Sequence, residues 1–168
     1  LWKHFQSLII KEDIGDIFKL ELDVLRTIIP MRQKGVRVDL QKAEVIKDDL
    51  AKREEDLLYK IKQTTGVDVE IWAAESVSKA FDALNLSYSK TEKSGAPSFT
   101  KGFLANHPHE IPQMIVQARE FNKARTTFVD TILKHQINGR IHAELHPLRS
   151  DDGGTVTGRF SYSNPNLQ

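Results

Sequence analysis

The sequence predicts a mainly α-helical protein with a small antiparallel β hairpin, an α+β class built on two long antiparallel helices. Three observations carry this. Apolar residues recur at helical spacing across about 40–64 and again across about 110–135, and the period drops to two after Gly139. A charged, glycine-rich stretch at 150–154 then supplies the chemistry of a hairpin turn.

Residues 1–14 read as a short amphipathic helix with Trp2, Phe5, Leu8 and Ile9 on one side. A second helix starts at about Asp16, an N-cap candidate, carries Phe18, Leu22, Leu25, Ile28 and Ile29, and ends before Gly35. Asp39 then caps the most regular element, where Ala43, Ile46, Leu50, Leu57 and Ile61 recur at heptad-like spacing until Gly66 stops it. At 1.5 Å per residue that helix is roughly 37 Å long, an arm rather than a ball. Residues 75–85 give a shorter helix, and 86–99 a polar loop centred on Lys90–Pro97. A brief helix from Thr100 leads to the second long one, from about Glu110 to His135, with Pro112 harmless in its first turn. Its stripe of Ile111, Met114, Ile115, Ala118, Phe121, Phe128, Val129 and Ile132 suits packing back along the first long helix. In the strand that follows, Ile141, Ala143 and Leu145 alternate with His142, Glu144 and His146; it is expected to turn through Ser150–Gly154 and pair with Thr155–Phe160.

Net charge is only +1 with 28% charged residues, so bulk charge does not argue for nucleic acid; only its distribution could. Residues 1–88 carry 14 Lys/Arg and 16 Asp/Glu, whereas 89–168 carry 10 and 7, a slight cationic tilt in the second half. The absence of cysteine excludes a disulfide framework and a Cys-based zinc site. No apolar run approaches the roughly 20 residues of a membrane helix, so no membrane partner is expected and the chain reads as intracellular. Beginning at Leu1 without Met, it reads as an excised segment of a longer protein.

Several side chains could carry chemistry, each with a plainer alternative. His142, Glu144 and His146 on one strand face suit a metal triad, yet any half-exposed strand alternates this way, and no metal site is expected. Asp151 and Asp152 beside two glycines could hold Mg²⁺ or phosphate, but a hairpin turn needs the same residues. The loop Lys90–Ser98 offers the Lys90 and Lys93 ammonium groups, three hydroxyls and a helix start at Ser98 or Thr100. That set can hold phosphate oxygens, or be a solvated surface loop. Arg119 and Lys123 share a helix face with Arg125 set off from them, as a phosphate-tracking stripe or as helix solvation that Glu120 partly offsets. Trp2, Trp72 and the phenylalanines are assigned to the core.

Arg159 is different, because it follows a glycine at the end of an expected strand and precedes small residues. Its guanidinium can donate to purine N3 and pyrimidine O2, which the minor groove presents at nearly one place in every Watson–Crick pair. One donor thus tests pairing geometry while ignoring sequence. Asn166 and Gln168 carry amides suited to similar work on a neighbouring base or sugar.

The tail, Thr155-Val156-Thr157-Gly158-Arg159 through Pro165-Asn166-Leu167-Gln168, resembles the start of the palm in family A DNA polymerases, the polymerase I type. The likeness covers about 150 residues. Met31 to Asp39 is similar to the turn that opens the family's thumb, Ser89 to Gly95 with Pro97 to Thr100 to the thumb-tip loop, and Gln117 to Asp130 to the returning thumb helix. Gly139-Arg140-Ile141-His142 resembles a first palm strand. The family often has an Asn-Ser-x-x-Gln-Leu run where this chain has Ile71-Trp72-Ala73-Ala74-Glu75-Ser76, leaving Ser76 as the candidate phosphate contact there. The Arg149–Gly154 insertion resembles phage-type members.

The resemblance implies a division into residues 1–15 as the end of an exonuclease-like domain, 16–138 as the thumb and 139–168 as the beginning of the palm. It implies phosphate contacts from Lys90, Lys93, Ser98, Thr100, Arg119, Lys123 and Ser76, a minor-groove contact from Arg159, and duplex or template contacts from Asn166 and Gln168. The partner would be primer-template duplex DNA, in the cytoplasm of a bacterial or phage-infected cell. Deoxynucleoside triphosphates and Mg²⁺ are implied only for the full-length polymerase. The family's Asp-Tyr-Ser-Gln-Ile-Glu and His-Asp-Glu segments appear nowhere here, so no catalytic residue is expected and the segment alone should be inactive. The rival reading is a non-catalytic helical DNA-binding or interaction module.

Overall fold

Asp39 and Gly66 bound the longest α-helix among the described residues. In the computed structural model, which describes residues 1–147, 155, 157 and 159–167, α1 (Trp2–Lys11), α2 (Gly15–Lys34) and the short strand β1 (Val36–Arg37) come first. α3 (Leu40–Thr65) and α4 (Ala74–Ala83) follow, then a hairpin of β2 (Ser89–Lys90) and β3 (Pro97–Ser98), and α5 (Lys101–Ala105). α6 (Glu110–Lys123), a π-helical segment (Ala124–Val129) and α7 (Asp130–His135) form one continuous helical run. The chain ends with β4 (Gln136–Ile137), β5 (Arg140–Ile141), β6 (Glu144–His146) and β7 (Ser161–Ser163). The strands pair antiparallel as β1-β5-β4, β2-β3 and β6-β7. The architecture is therefore mainly α with small antiparallel sheets, as the periodicities imply.

Contacts divide the chain into two units, residues 39–134 and residues 1–38 with 135–168. In the first, the Asp39 carboxylate accepts from the Lys42 amide at 3.0 Å, supplying a partner to an orphan first-turn donor, and Gly66 at φ +71° ends the helix in a left-handed turn. The 26 residues between make α3 about 39 Å long. The run from Glu110 lies antiparallel to it. Ile61 is buried with Ile111 and Ile115, Glu54 meets Asn122 and Arg125, and Lys47 meets Asp130, so one index falls as the other rises.

The core of this unit sits at one end. Phe81 of α4 is fully buried at its centre, with the rings of Phe99, Phe103, Tyr88 and His107 between 4.8 and 6.1 Å away. Each such edge or tilted pair adds about 0.5–1.5 kcal/mol beyond the area it buries. Along α3 the burial fades away from that end, from Ile61, fully buried, to Ile46, which is 40% exposed. There a polar brace replaces the core. Glu54, nearly buried, accepts from Asn122 Nδ2 at 2.8 Å and Arg125 Nη2 at 3.0 Å, and Lys47 pairs with Asp130 at 2.9 Å.

The expected uniform helix over 110–135 is helical throughout but widens at Ala124–Val129. The Thr126 hydroxyl donates to the Asn122 carbonyl at 2.8 Å, giving that acceptor a side-chain partner, and β-branched Thr126, Thr127 and Val129 crowd an α turn.

In the other unit, α1 packs on α2 with Trp2 and Phe18 rings 6.0 Å apart. Trp2 is nevertheless 55% exposed and Trp72 of the first unit 59% exposed, so neither is a core residue as expected. Asp16 lies inside the first turn of α2 rather than capping it; the cap position is Ile14. A carboxylate there still complements the partial positive charge of the helix start. Gly35, at φ +66°, brings the end of α2 against β5, and a Cβ on it would stand 2.7 Å from the Ile141 carbonyl oxygen. Arg140 Nη1 donates to the Lys34 and Gly35 carbonyls at 3.1 Å, and His142 Nδ1 donates to the Arg32 carbonyl at 2.8 Å, satisfying acceptors at this helix end.

Two strand expectations change. A strand before Gly139 escaped the periodicity: β4 and β5 close on Asn138-Gly139, both at positive φ, the dipeptide a tight hairpin turn favours. β6 pairs with Ser161–Ser163, in the register Leu145 opposite Tyr162, and not with Thr155–Phe160. The expected turn at Ser150–Gly154 lies outside the described residues. Among the described residues no helix is long and apolar enough to cross a membrane.

Glu54→Ala is expected to lower the unfolding free energy of residues 39–134 by about 2–3 kcal/mol, because it strands the Asn122 amide and a guanidinium whose Nε is already buried without a partner. Urea unfolding measures this. A loss under about 0.5 kcal/mol at unchanged m-value would mean that the brace is dispensable.

Candidate functional site

The loop at 86–99 is a small hairpin, and it carries the first cluster. Ser89 pairs with Ser98 and Lys90 with Pro97; the Thr91 amide then donates to the Ala96 carbonyl at 2.8 Å, and the Thr91 and Ser94 hydroxyls meet at 2.6 Å. Gly95 at φ +65° lets the turn close. Lys90 and Lys93 project from this exposed tip, and among the described residues neither forms an ion pair. Of the two expected helix starts, Thr100 is the one: its hydroxyl oxygen accepts from the Phe103 amide at 3.3 Å. Ser98 lies half-buried in β3.

Arg119 joins the base of the hairpin to α6. Its Nη1 donates to the Phe99 carbonyl at 2.9 Å and its Nε to the Ile71 carbonyl at 2.7 Å, and burial pushes the guanidinium pKa down. Ser76 works in the same neighbourhood, its hydroxyl accepting from the Glu70 amide at 2.9 Å. Arg119 thus ties α6 to Ile71 and to Phe99, the residue between Ser98 and Thr100, while Ser76 in the first turn of α4 holds the Glu70 amide and Lys123 lies one turn further along α6. Beside them, Trp72, Lys101, Val116, Arg119, Glu120 and Lys123 line a cleft of about 300 Å³. Arg125, read as an offset cation, belongs to the Glu54 brace instead.

The second cluster gathers on β6 and β7, around Glu144. Its carboxylate accepts from Arg32 at 3.3 Å, Ser163 at 3.1 Å and Asn164 at 3.0 Å. Hydrogen bonds from Asn164 and Ser163 hold its pKa below the ordinary 4.5, with Arg32 and His146 adding attraction. A carboxylate only accepts, so the Ser163 hydroxyl donates to it, and His146 Nε2–H donates to Ser163 at 2.7 Å. His146 therefore cannot take the Ser163 proton in this arrangement, and the trio is not a nucleophile with its base. The possible triad of His142, Glu144 and His146 is separated by these bonds; among the described residues no three His, Asp or Glu side chains gather as metal ligands.

Arg159 and Asn166 are exposed residues flanking β7. Arg159 precedes that strand instead of ending one, and its carbonyl accepts from the Thr155 hydroxyl at 2.6 Å. Gln168, Gly158 and the Asp151-Asp152 pair lie outside the described residues. What the sequence missed is Trp72, Asn122 and Lys101: Asn122 and Glu54 are 68 positions apart, a separation no local pattern encodes.

The fold that carries these clusters has known counterparts. The family model "DNA polymerase family A" matches residues 40–168. The chain belongs to DNA polymerase family A. It is 29% identical over 168 residues to a DNA-directed DNA polymerase of Pseudomonas phage M6, covering 94% of this chain and 25% of that protein. It is 31% identical over 156 residues to the thermostable DNA polymerase I of Thermus filiformis, covering 89% of this chain and 18% of that protein. The chain thus spans a quarter or less of the length of these relatives. The fold matches the POL domain of Pol1 from M. smegmatis, in complex with DNA primer-template and dNTP, at a TM-score of 0.68, with 24% identity, 88% of this chain and 26% of that chain.

The depressed Glu144 pKa has a signed consequence. A folded-state value below the unfolded one contributes stability above the ordinary glutamate range, and that contribution is lost as pH falls through the folded value. The Glu144 carboxyl is expected to titrate below 4.5 by NMR, and Glu144→Gln should reduce the acid sensitivity of the β6-β7 pairing. A Glu144 titration at or above the ordinary value would contradict the bonding described.

Proposed function

We propose that these residues are the duplex-gripping part of a DNA-directed DNA polymerase, a nucleotidyltransferase in its full length. On this reading residues 1–15 close an exonuclease-like domain, 16–138 form the thumb and 139–168 open the palm. Family membership supports it, together with one observation: Lys90 and Lys93 stand on an exposed hairpin tip, without ion pairs among the described residues. Two such ammonium groups match a phosphate backbone, which any sequence presents. Lys123 adds a further cation, at the Trp72 cleft. Arg119, Ser98, Thr100 and Ser76 contribute to the grip chiefly by fixing the hairpin base and the loops beside it. Arg159 would donate to the minor-groove acceptor of the primer-terminal pair, with Asn166 and Gln168 touching the duplex or template nearby. Primer-template DNA is the partner, and nucleotide the substrate, of the longer protein; the M. smegmatis neighbour was captured with both.

The Mg²⁺ that this reading implies for the full-length enzyme does not fit the residues at hand. Glu144 is held by Arg32, Ser163 and Asn164, and no acidic group of three gathers among the described residues. On the proposal, the metal belongs to carboxylates of the longer protein.

Duplex binding by the chain should be weak and sequence-independent. If it holds about three phosphates, log affinity falls against log salt with a slope near −2.7, and Lys90→Ala with Lys93→Ala flattens the slope by up to about two units. Binding that ignores salt, or an unchanged slope in the double variant, would overturn the grip.

In the full-length enzyme, Arg159→Ala should slow incorporation by about 30- to 150-fold, equivalent to about 2–3 kcal/mol, with little change in duplex affinity, which many phosphate contacts share. Replacing N3 of a primer-terminal purine by carbon should slow the unmutated enzyme towards the variant's rate and barely affect the variant. Equal responses from both enzymes would remove Arg159 from the minor groove.

A further inference from the structure

Trp72 is both exposed and fixed. Its indole N–H, the one polar atom of the ring, donates to Asn122 Oδ1 at 2.9 Å, and Asn122 is itself anchored to Glu54. The Arg119 guanidinium lies 5.4 Å from the ring centre, with two of its nitrogens tied to the Ile71 and Phe99 carbonyls. Even so, 59% of the residue remains accessible. Such an indole has lost rotamer freedom without removing most of its apolar area from water, which stabilises the isolated fold little. A flat group laid on it would complete the burial.

The adjoining cleft gives that group its chemistry. Val116 and Trp72 supply an apolar floor, and Lys101, Arg119 and Lys123 stand at the rim against a single carboxylate, Glu120, which Lys101 already pairs at 2.7 Å. The rim is therefore net cationic, and among the described residues Lys123 has no ion pair. Planar π surface beside unbalanced cations fits a planar π system that carries anions, a nucleobase with its phosphates.

We infer that this cleft binds an unpaired nucleotide of single-stranded DNA, its base stacked on the Trp72–Arg119 pair and its flanking phosphates at Lys101 and Lys123. The indole N–H is committed to Asn122, so the platform offers a face and no base-reading donor, and binding is indifferent to sequence. A base inside a duplex has both faces covered by its neighbours and cannot lie on the ring, so the cleft separates single strand from duplex. It is a second mode of DNA contact, independent of the Lys90 and Lys93 grip proposed above.

The test uses Trp2→Phe as background, so that Trp72 is the one emitting tryptophan, with an eight-residue oligo(dT), a blunt 12-base-pair duplex and a peptide of alternating Glu and Phe as probes. Oligo(dT) should quench the emission saturably and with salt sensitivity, while the duplex quenches little. Measured by anisotropy of labelled oligo(dT), Trp72→Ala should weaken binding by roughly 5- to 150-fold, the range for losing one base stack, and Lys123→Ala should lessen its salt dependence. Trp72→Phe keeps a stacking face and should retain most of the affinity, which covers the case in which the alanine variant unfolds. Lys90→Ala with Lys93→Ala should leave the oligo(dT) quench intact, so failure of the duplex grip and failure of the cleft are read separately. The inference is overturned if oligo(dT) gives no quench, if duplex quenches as strongly, or if the acidic peptide alone occupies the cleft.

Discussion

Glu54 is the point on which the long helical pair depends. Its two carboxylate oxygens take one hydrogen bond each from Asn122 and Arg125, at 2.8 and 3.0 Å, where the apolar contact between α3 and the returning helix has thinned. An apolar seam would tolerate sliding by a turn, because one leucine-sized contact resembles another. A bidentate acceptor does not. The same residue reaches outward through the Asn122 amide to the Trp72 indole, so register between the helices and orientation of a surface aromatic have one origin.

Arg119 illustrates how a cation can serve a cationic surface without facing the ligand. Its donors hold the carbonyls of Ile71 and Phe99, one on each of two loops that would otherwise be joined only through the core. Positions of Lys101 and of the β2–β3 hairpin follow from that. Charge at the surface and bracing beneath it are thus divided between neighbours on one helix, Lys123 doing the former.

The long helices, the Asp39 cap, the Gly66 stop and the α+β class were legible in the sequence because each has a local cause: a 3.6-residue period, an acceptor at an N-cap, a residue free to take positive φ. The Asn138-Gly139 turn was equally local but was overlooked, since the strands it joins are two residues each and show no period. What no local pattern could give was the partner of β6, the brace on Glu54 and the exposure of Trp72. All three are set by residues 15 to 71 positions away. The candidate cations were legible as types, while their division into free and committed groups was not.

The widened turn at Ala124–Val129 makes the returning helix sensitive to length in a way that its composition hides. A π turn accommodates one residue more than an α helix of the same rise, and each α-helical residue carries about 100° of rotation. Asn122 and Arg125 sit at the near edge of that segment and Asp130 just past it, and all three face α3. Substitution within 124–129 leaves their phase alone, and loss of one residue would let the turn relax to α with Asp130 still facing Lys47, whereas gain of one would swing Asp130 by roughly that angle away from it. Along this stretch a deletion and an insertion are therefore not equivalent: the widened turn holds one residue in reserve and has no room for another.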